Sequence, residues 1–201
     1  MDSHSYAGNM RPCLFLLTGF PGSGKFTVAR ALAAQIEAVG DTVRLVDNHW
    51  INNPIFGLVD QDGVTPLPKE IWNRVGEVAD AVIRTVEQLT PRSWHVIFTA
   101  YLDGVTDSDF VPRLESVAAA RGALFIPVRL LVDPEENARR ITSPERRLRM
   151  KSLDPEEPLR LAAAGQPYDH GHADTLTIDI SDRPPDQTAT EILAHVDQLD
   201  E

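Results

Sequence analysis

Hydrophobic residues in this chain fall into short apolar runs, separated by longer segments in which they recur every three or four positions. The runs predict strands at residues 14–17, 42–47, 94–99, 124–132 and 175–180. The segments between them have the spacing of amphipathic helices. Strands that alternate with helices favour right-handed crossovers and a parallel sheet covered on both faces. The pattern therefore predicts an α/β fold with a five-stranded parallel sheet.

Start and stop signals define several of the helices. Residues 71–89 predict a long amphipathic helix, and a shorter one begins near Phe110 and ends at Gly122. Asp133 followed by Pro134 is typical of a helix N-cap with proline in the first turn. Apolar residues at 192–199 predict a C-terminal helix. Because proline cannot donate to a sheet, we expect the fourth strand to start at or just after Pro127.

The most informative segment lies between the first predicted strand and the first predicted helix. Glycines there let the backbone wrap around an anion, so that several N–H groups point at it. The helix N-terminus adds partial positive charge, and a lysine adds a full charge for the outer phosphates. This Walker A phosphate loop predicts binding of a nucleoside triphosphate, ATP or GTP. Its nucleotide-binding residues are Gly19, Pro21, Gly22, Ser23, Gly24, Lys25, Phe26 and Thr27.

The position after Lys25 departs from the usual pattern, which has Ser or Thr there to ligate Mg²⁺. Phe26 occupies that place, and Thr27 comes one residue later. This arrangement resembles adenylate kinase and related small P-loop kinases, in which Gly-Lys is followed by a non-hydroxyl residue and then Thr. The resemblance implies that Thr27 contacts an inner phosphate and that Mg²⁺ is held largely through water. Thr27 is accordingly the candidate metal ligand.

Charge is unevenly distributed. Nineteen Lys and Arg against thirty Asp and Glu give a formal charge of −11, which argues against general binding to nucleic acid or anionic membranes. Six of the nineteen basic residues nevertheless fall between 139 and 151. Two predicted short helices carry them, and this arrangement resembles the lid of small P-loop kinases, whose arginines stabilise the transferring phosphoryl group. The resemblance makes Arg140 and Arg147 candidate catalytic cations and Arg139 a nucleotide contact.

The second predicted strand ends in Asp47, Asn48 and His49. In open parallel sheets, ligands bind beyond the carboxyl ends of the strands. The layout resembles shikimate and gluconate kinases, in which a carboxylate after the second strand holds the acceptor hydroxyl. Asp47 is the candidate for that role, as general base or as orienting hydrogen-bond acceptor. Asn48, His49, Asn52 and Asn53 are candidate substrate-binding residues.

Residues 48–68 contain no Lys or Arg, whereas Asp60 and Asp62 add negative charge. A phosphorylated acceptor would need cations to offset its desolvation. We therefore expect a neutral or cationic hydroxylated acceptor, such as a sugar, an aminoglycoside-like antibiotic or a nucleoside.

Two features leave alternatives open. No acidic residue closes the third strand as a Walker B carboxylate would, so Asp103, Asp47, or Thr99 through water must serve the metal shell.

In similar kinases the loop after the last strand packs against adenine, which makes Arg183 a candidate base contact. Phe26 and the missing acid also support alternatives to a kinase: a nucleotide-binding regulatory protein or an ATPase that acts on a protein partner.

The sequence thus predicts a single P-loop kinase-like domain at residues 13–201, after a loose tail at 1–12. Its acceptor region is expected at about 47–90 and its lid at about 139–155, with strand order 2-3-1-4-5. The predicted activity is transfer of the γ-phosphate of ATP, with Mg²⁺, to a small-molecule acceptor. No apolar stretch approaches the roughly 20 residues of a membrane span, and the single Cys13 cannot form an internal disulfide. These features favour a cytoplasmic protein.

Overall fold

A central parallel sheet organises the chain. The computed structural model describes residues 10–59, 62–104, 108–143, 146 and 150–200. Its strands are β1 (Cys13–Thr18), β2 (Val43–Val46), β3 (His95–Ala100), β4 (Leu124–Leu131) and β5 (Leu176–Asp179). They pair in the order β2-β3-β1-β4-β5, and every pairing is parallel. The predicted α/β class and strand order are therefore confirmed.

The central strand β1 is buried on both faces, which explains its unbroken apolar sequence. Successive side chains of a strand point to opposite faces. Leu14 and Leu16 accordingly join one core cluster, while Phe15 and Leu17 join the other. Each cluster fills the space between one face of the sheet and the helices that cover it.

Seven α-helices lie within the described part of the chain. The helices α3 and α4 cover one face of the sheet, and α1 and the last helix cover the other. Their bounds are α1 (Lys25–Ala38), α2 (Asn48–Phe56), α3 (Lys69–Gln88), α4 (Phe110–Arg121), α5 (Pro134–Ile141), α6 (Glu156–Ala164) and α7 (Pro185–Asp200). The helical segments predicted at 71–89, 110–122 and 192–199 are confirmed as α3, α4 and part of α7. None of these helices combines the length and the apolar character needed to cross a membrane.

Two predicted helix signals are realised in detail. Gly122 ends α4 with φ 71°, the left-handed conformation that glycine adopts without strain. Asp133 caps α5, since its carboxylate accepts hydrogen bonds from the N–H groups of Glu135 and Glu136, both at 3.0 Å.

The expectation for Pro127 was wrong, because β4 begins three residues earlier, at Leu124. Pro127 pairs with Leu16 of β1. On the other side of β4, pairing with β5 begins only at Val128. At Pro127 the strand therefore has a neighbour on one side alone, the edge-like position in which a missing N–H is tolerated.

Candidate nucleotide and acceptor site

A cavity of about 1020 Å³ lies at the carboxyl ends of the strands. Its walls come from the β1–α1 loop, α2, the segment before α3, the region after α5 and the start of α7. This is the place where open parallel sheets bind ligands. Its volume lies at the top of the usual range for ligand pockets, about 300–1,000 Å³, which suits two ligands side by side.

The β1–α1 loop has the backbone shape of an anion cradle. Gly22 and Gly24 have φ angles of 90° and 98°, which glycine alone adopts readily. A Cβ atom at Gly22 would lie 2.3 Å from Oδ1 of Asn137, so no side chain fits there. No side chain of the described residues caps the start of α1 at Gly24. Gly24, Lys25, Phe26 and Thr27 line the cavity, so the N-terminal end of α1 and the positive end of its dipole adjoin it and fit a phosphate group.

Lys25 is buried at the first position of α1. Its Nζ donates hydrogen bonds to the carbonyl oxygens of Gly19 and Phe20, both at 2.8 Å. Burial, followed by repulsion from Lys151 and Arg146, lowers the pKa of Lys25 to about 7. An anion in the loop would oppose both effects and favour the charged ammonium.

Nucleotide binding is therefore expected to take up a proton and to weaken as the pH rises above 7. A bound polyphosphate raises the pKa of Lys25 from about 7 toward its ordinary 10.5, so between these values the complex holds the extra proton. Affinity for ADP should fall by up to about tenfold per pH unit in this window. Calorimetry at pH 8 in buffers of different ionisation enthalpy measures the uptake. The variant Lys25→Arg, which stays protonated, is the control, and equal uptake by both proteins would contradict the assignment.

Asp47 and Thr99 meet at the ends of neighbouring strands. Asp47 is buried at the end of β2, and its Oδ1 accepts a hydrogen bond of 2.6 Å from the hydroxyl of Thr99 near the end of β3. Thr99 in turn accepts from the N–H of Asn48 at 3.2 Å. Asp103 is exposed and does not line the cavity. Of the three alternatives for the missing Walker B acid, the structure places Asp47 on the cavity and Thr99 behind it, bonded to its carboxylate.

Lys151 completes this group, and sequence reasoning missed its role. Its Nζ donates to Oδ2 of Asp47 at 3.3 Å, and both side chains are almost entirely buried. The same ammonium lies over the ring of Phe26, 5.2 Å from the ring centroid. Phe26, the unusual residue after Lys25, thus makes a cation–π contact with the ammonium that lies beside Asp47. The one sequence signal was the place of Lys151 at the end of the basic cluster.

The helix α2 presents the predicted polar residues to the cavity. Asn48, His49 and Asn52 line it. Asn53 does not, but its Oδ1 lies 3.2 Å from Nδ1 of His49 and orients that ring. Burial, with repulsion from Lys151 as the next cause, lowers the pKa of His49 to about 4. His49 is therefore a neutral hydrogen-bonding residue at neutral pH.

The predicted arginines separate into different environments. Arg140 lines the cavity and donates to the carbonyl oxygens of Ile180 at 3.0 Å and Ser181 at 2.7 Å. It also donates to the carbonyl oxygen of Ser23 in the phosphate loop at 3.3 Å. Arg139 is exposed, pairs with Glu136 and does not line the cavity. Arg147 lies outside the described residues.

The predicted base contact, Arg183, is also away from this cavity. It pairs with Glu191 and borders a separate small hollow. Pro185 and Asp186, at the start of α7, line the large cavity in its place. They follow the same loop, so the structure brings this loop to the cavity without Arg183.

Replacing Arg140 with alanine is expected to destabilise the fold and to reduce turnover. The guanidinium joins the phosphate loop to the β5–α7 loop, and its loss removes the donor of three part-buried hydrogen bonds to carbonyl groups. We expect a loss of about 2 kcal/mol in urea unfolding. Arg139→Ala is a matched control, since it removes a neighbouring arginine that shares the partner Glu136 but is 77% exposed, and it should stay within about 0.5 kcal/mol of wild type. Equal effects of the two variants would contradict this role.

Cations from beyond residue 68 change the charge expected at the acceptor end of the cavity. Arg146, Lys151 and Arg160 all line it. Each has an acidic neighbour: Lys151 pairs with Asp47, Arg160 with Asp154 at 2.7 Å, and Glu157 acts electrostatically on Arg146. The absence of Lys and Arg from residues 48–68 therefore does not leave this end without positive charge.

Asp62, the acidic residue of the predicted acceptor region that the structure describes, contributes less than expected. Asp62 accepts hydrogen bonds from the N–H groups of Val64 and Thr65 and from the hydroxyl of Thr65, at 2.7–2.8 Å. These bonds lower its pKa to about 2, and it shapes its own loop without lining the cavity. Asp60 lies outside the described residues.

A protein-only metal centre is not found in the described residues, where no group of three or more His, Cys, Asp or Glu side chains is arranged to hold a metal ion. Thr27 is exposed on the cavity wall, on the first turn of α1. Its hydroxyl and the carboxylate of Asp47 are hard oxygen groups of the kind that Mg²⁺ prefers. They fit a magnesium ion that arrives with a nucleotide and keeps most of its water ligands.

No protein-family model and no curated protein matches this sequence. Solved structures do. A provisionally assigned kinase from Chloroflexus aurantiacus superposes with a TM-score of 0.66 at 17% identity, covering 95% of this chain and 99% of that one. The APS kinase CysC of Mycobacterium tuberculosis, in complex with AMPPNP and APS, gives 0.61 at 16% identity over 93% and 98%. A gluconokinase from Sinorhizobium meliloti gives 0.58 at 16% over 96% and 95%.

The chain has a P-loop kinase fold. The resemblance drawn from the phosphate loop and the strand layout is thereby confirmed at the level of the fold. In this P-loop kinase fold, the phosphate loop follows the central strand, and Asp47 stands at the end of the outer strand β2 on the same cavity.

Proposed function

We propose that this protein is an ATP-dependent phosphotransferase that moves the γ-phosphate to a hydroxyl group of a small, non-phosphorylated acceptor. The observation that carries the proposal is Asp47, a buried carboxylate that Thr99 fixes at 2.6 Å and that shares a cavity with the phosphate loop. A carboxylate so placed suits an acceptor hydroxyl.

The phosphate loop and Lys25 bind and orient the triphosphate. Positioning and charge stabilisation supply most of the catalysis in phosphoryl transfer. Asp47 accepts the hydrogen bond of the acceptor hydroxyl and directs its oxygen toward the γ-phosphorus. As the new oxygen–phosphorus bond forms, the bond from the γ-phosphorus to the β–γ bridging oxygen breaks, ADP leaves, and Asp47 receives the hydroxyl proton. Mg²⁺ supplies charge neutralisation on the phosphates when bound, and Thr27 and Asp47 are the residues that would hold it, directly or through water.

Lys151 has two roles in this scheme. Its ammonium donates a hydrogen bond to Oδ2 of Asp47 at 3.3 Å and so helps to fix the carboxylate group on the cavity wall. It also lies over Phe26, directly after Lys25 in the chain, and so stands between the carboxylate and the phosphate loop. From there it is placed to stabilise charge on the transferred group, the role that the lid resemblance assigned to arginines.

The charge of the acceptor follows from how the cations are paired. Lys151 and Arg160 form ion pairs with Asp47 and Asp154. A phosphorylated acceptor would have to break such pairs or approach those carboxylates. The pairing supports the proposal of a neutral or cationic acceptor, such as a sugar, an aminoglycoside-like compound or a nucleoside.

The test is acceptor-dependent formation of ADP, measured against a panel of hydroxylated metabolites with the phosphorylated product identified by mass spectrometry. A rise in ADP with one acceptor, matched by its phosphorylation, supports the kinase. ADP formation that no acceptor changes would indicate an ATPase, and nucleotide binding without any turnover would indicate a regulatory protein. Efficient phosphorylation of AMP, CMP, UMP or dTMP would rule out a non-phosphorylated acceptor.

A further inference from the structure

The wall of the cavity changes from polar to apolar along α2. Asn48, Asn52 and Phe56 line the cavity at a spacing of four residues, which places them along one face of the helix. The polar end adjoins Asp47. Phe56, at the other end, lies about 13 Å further along the helix axis, at 1.5 Å per residue.

The apolar end is an aromatic corner with a fixed geometry. The ring of Phe56 is buried and meets the indole of Trp72 edge to face, with centroids 5.6 Å apart and planes at 87°. Trp72 is 50% exposed and lines the cavity, as do Leu67 and Val64 from the segment before α3. An indole held against a buried ring offers a rigid flat surface at little entropic cost.

Met150 adds an apolar side chain beside the end of α2, where its Cε would lie 3.7 Å from a Cβ atom at Gly57. Met150 lines the cavity and is partly exposed. A hydrogen bond of 3.0 Å from the N–H of Leu153 to the carbonyl of Gly63 ties the segment after the basic cluster to the segment before α3. Val64, Trp72 and Met150 are thus three of the exposed large hydrophobic residues, and all three line this one cavity. Such a concentration of exposed apolar surface marks a binding site.

We propose that the acceptor is amphiphilic, with a hydroxylated head at Asp47 and an aromatic or otherwise apolar body against Trp72, Phe56 and Met150. The proposal rests on the proposed phosphotransferase function and narrows its acceptor class. Aryl glycosides and nucleosides have this shape, whereas free monosaccharides and aminoglycosides lack the apolar body. Because the two ends of the site lie about 13 Å apart, an acceptor that touches both is larger than one sugar ring.

The test uses pairs of ligands that differ only in the apolar part: methyl and phenyl glycosides of the same sugars, and ribose against uridine. Binding is measured by calorimetry and tryptophan fluorescence with AMPPNP present, so it does not depend on phosphoryl transfer. We expect the apolar member of at least one pair to bind about tenfold or more tightly than its partner, as burial of a ring predicts. If no pair shows this preference, the proposal is wrong whether or not a kinase activity is found.

Two tryptophan variants make the test specific to the aromatic corner. Trp72→Ala should reduce the preference to about threefold or less and abolish the fluorescence change. Trp50→Ala is the matched control, since Trp50 is 63% exposed on α2 but does not line the cavity, and it should keep both. Equal loss in the two variants, or a preference that survives Trp72→Ala, would overturn the assignment. If the wild-type protein shows the binding preference but no acceptor raises its formation of ADP, the result counts against the proposed phosphotransferase function and not against the apolar part of the site.

Discussion

Replacing Lys25 with alanine is expected to weaken binding of ATP and its analogues by about a hundredfold or more and to abolish turnover. The ammonium lies inside the phosphate loop, buried, with a pKa lowered to about 7 chiefly by burial. A buried charge whose pKa is lowered in this way gains most from an anionic partner, and removal of one member of such a pair costs about 2–5 kcal/mol. The loss should appear in binding as well as in rate.

The fold should survive this substitution. The lowered pKa means that the folded state disfavours the charge on Lys25, so alanine removes a penalty together with two hydrogen bonds to loop carbonyls. Calorimetry with AMPPNP and circular dichroism measure binding and fold separately. Lys69→Ala, an exposed lysine at the start of α3, is the matched control and should bind like wild type. Wild-type binding and turnover by Lys25→Ala would show that the nucleotide site has been misplaced.

The parts of the fold that sequence predicted are those determined by local pattern. β1 is apolar throughout because it is buried on both faces, and α3 has a continuous apolar stripe because it covers one face of the sheet. The helix α2 gave no such signal. It has nine residues, three of them asparagine, and Pro54 lies inside it, so its intrinsic helix propensity is poor. Its formation depends on tertiary contacts with α3, which no local pattern reveals.

The candidate site also has one part that follows from local sequence and another part that depends on tertiary contacts. The phosphate loop is one continuous segment, and each residue acts through its own backbone or side chain near the same ligand, so the motif predicts it. The contact between Lys151 and Asp47 joins residues 104 positions apart, and Arg160 reaches the cavity from a helix that was not predicted. Counting charges over residues 48–68 therefore missed cations that the fold brings in from downstream.

The place of Phe26 shows how a departure from a motif can have a structural reason. A hydroxyl at this position would ligate Mg²⁺ directly. The ring instead supports the ammonium of Lys151 at 5.2 Å, and that ammonium bonds to Asp47. Phe26 therefore provides no metal ligand at this position, but its ring contacts a cation, Lys151, that is fixed beside Asp47. In the proposed reaction Mg²⁺ and this cation serve the same need, positive charge close to the transferred phosphoryl group.

Asp47→Asn should leave affinity for ATP nearly unchanged and lower phosphoryl transfer by about 10²–10⁴-fold. The amide has the size of the carboxylate, and its oxygen still accepts the hydrogen bond from Thr99, so the ends of β2 and β3 keep their contact. What the variant loses is the charge that orients the acceptor hydroxyl and takes its proton. The measurement is kcat with a responsive acceptor, set beside nucleotide affinity from calorimetry.

One complication of this variant is the ammonium of Lys151, whose charge the side chain at position 47 no longer balances. The double variant Asp47→Asn/Lys151→Met removes that buried charge, and it should recover stability without recovering activity, because the general base is still absent. Asp186→Asn, the same chemical change at the other end of the cavity, is the matched control and should retain transfer. If Asp47→Asn transfers phosphate at the wild-type rate, Asp47 has no role in the chemistry, and the acceptor hydroxyl must lie elsewhere in the cavity.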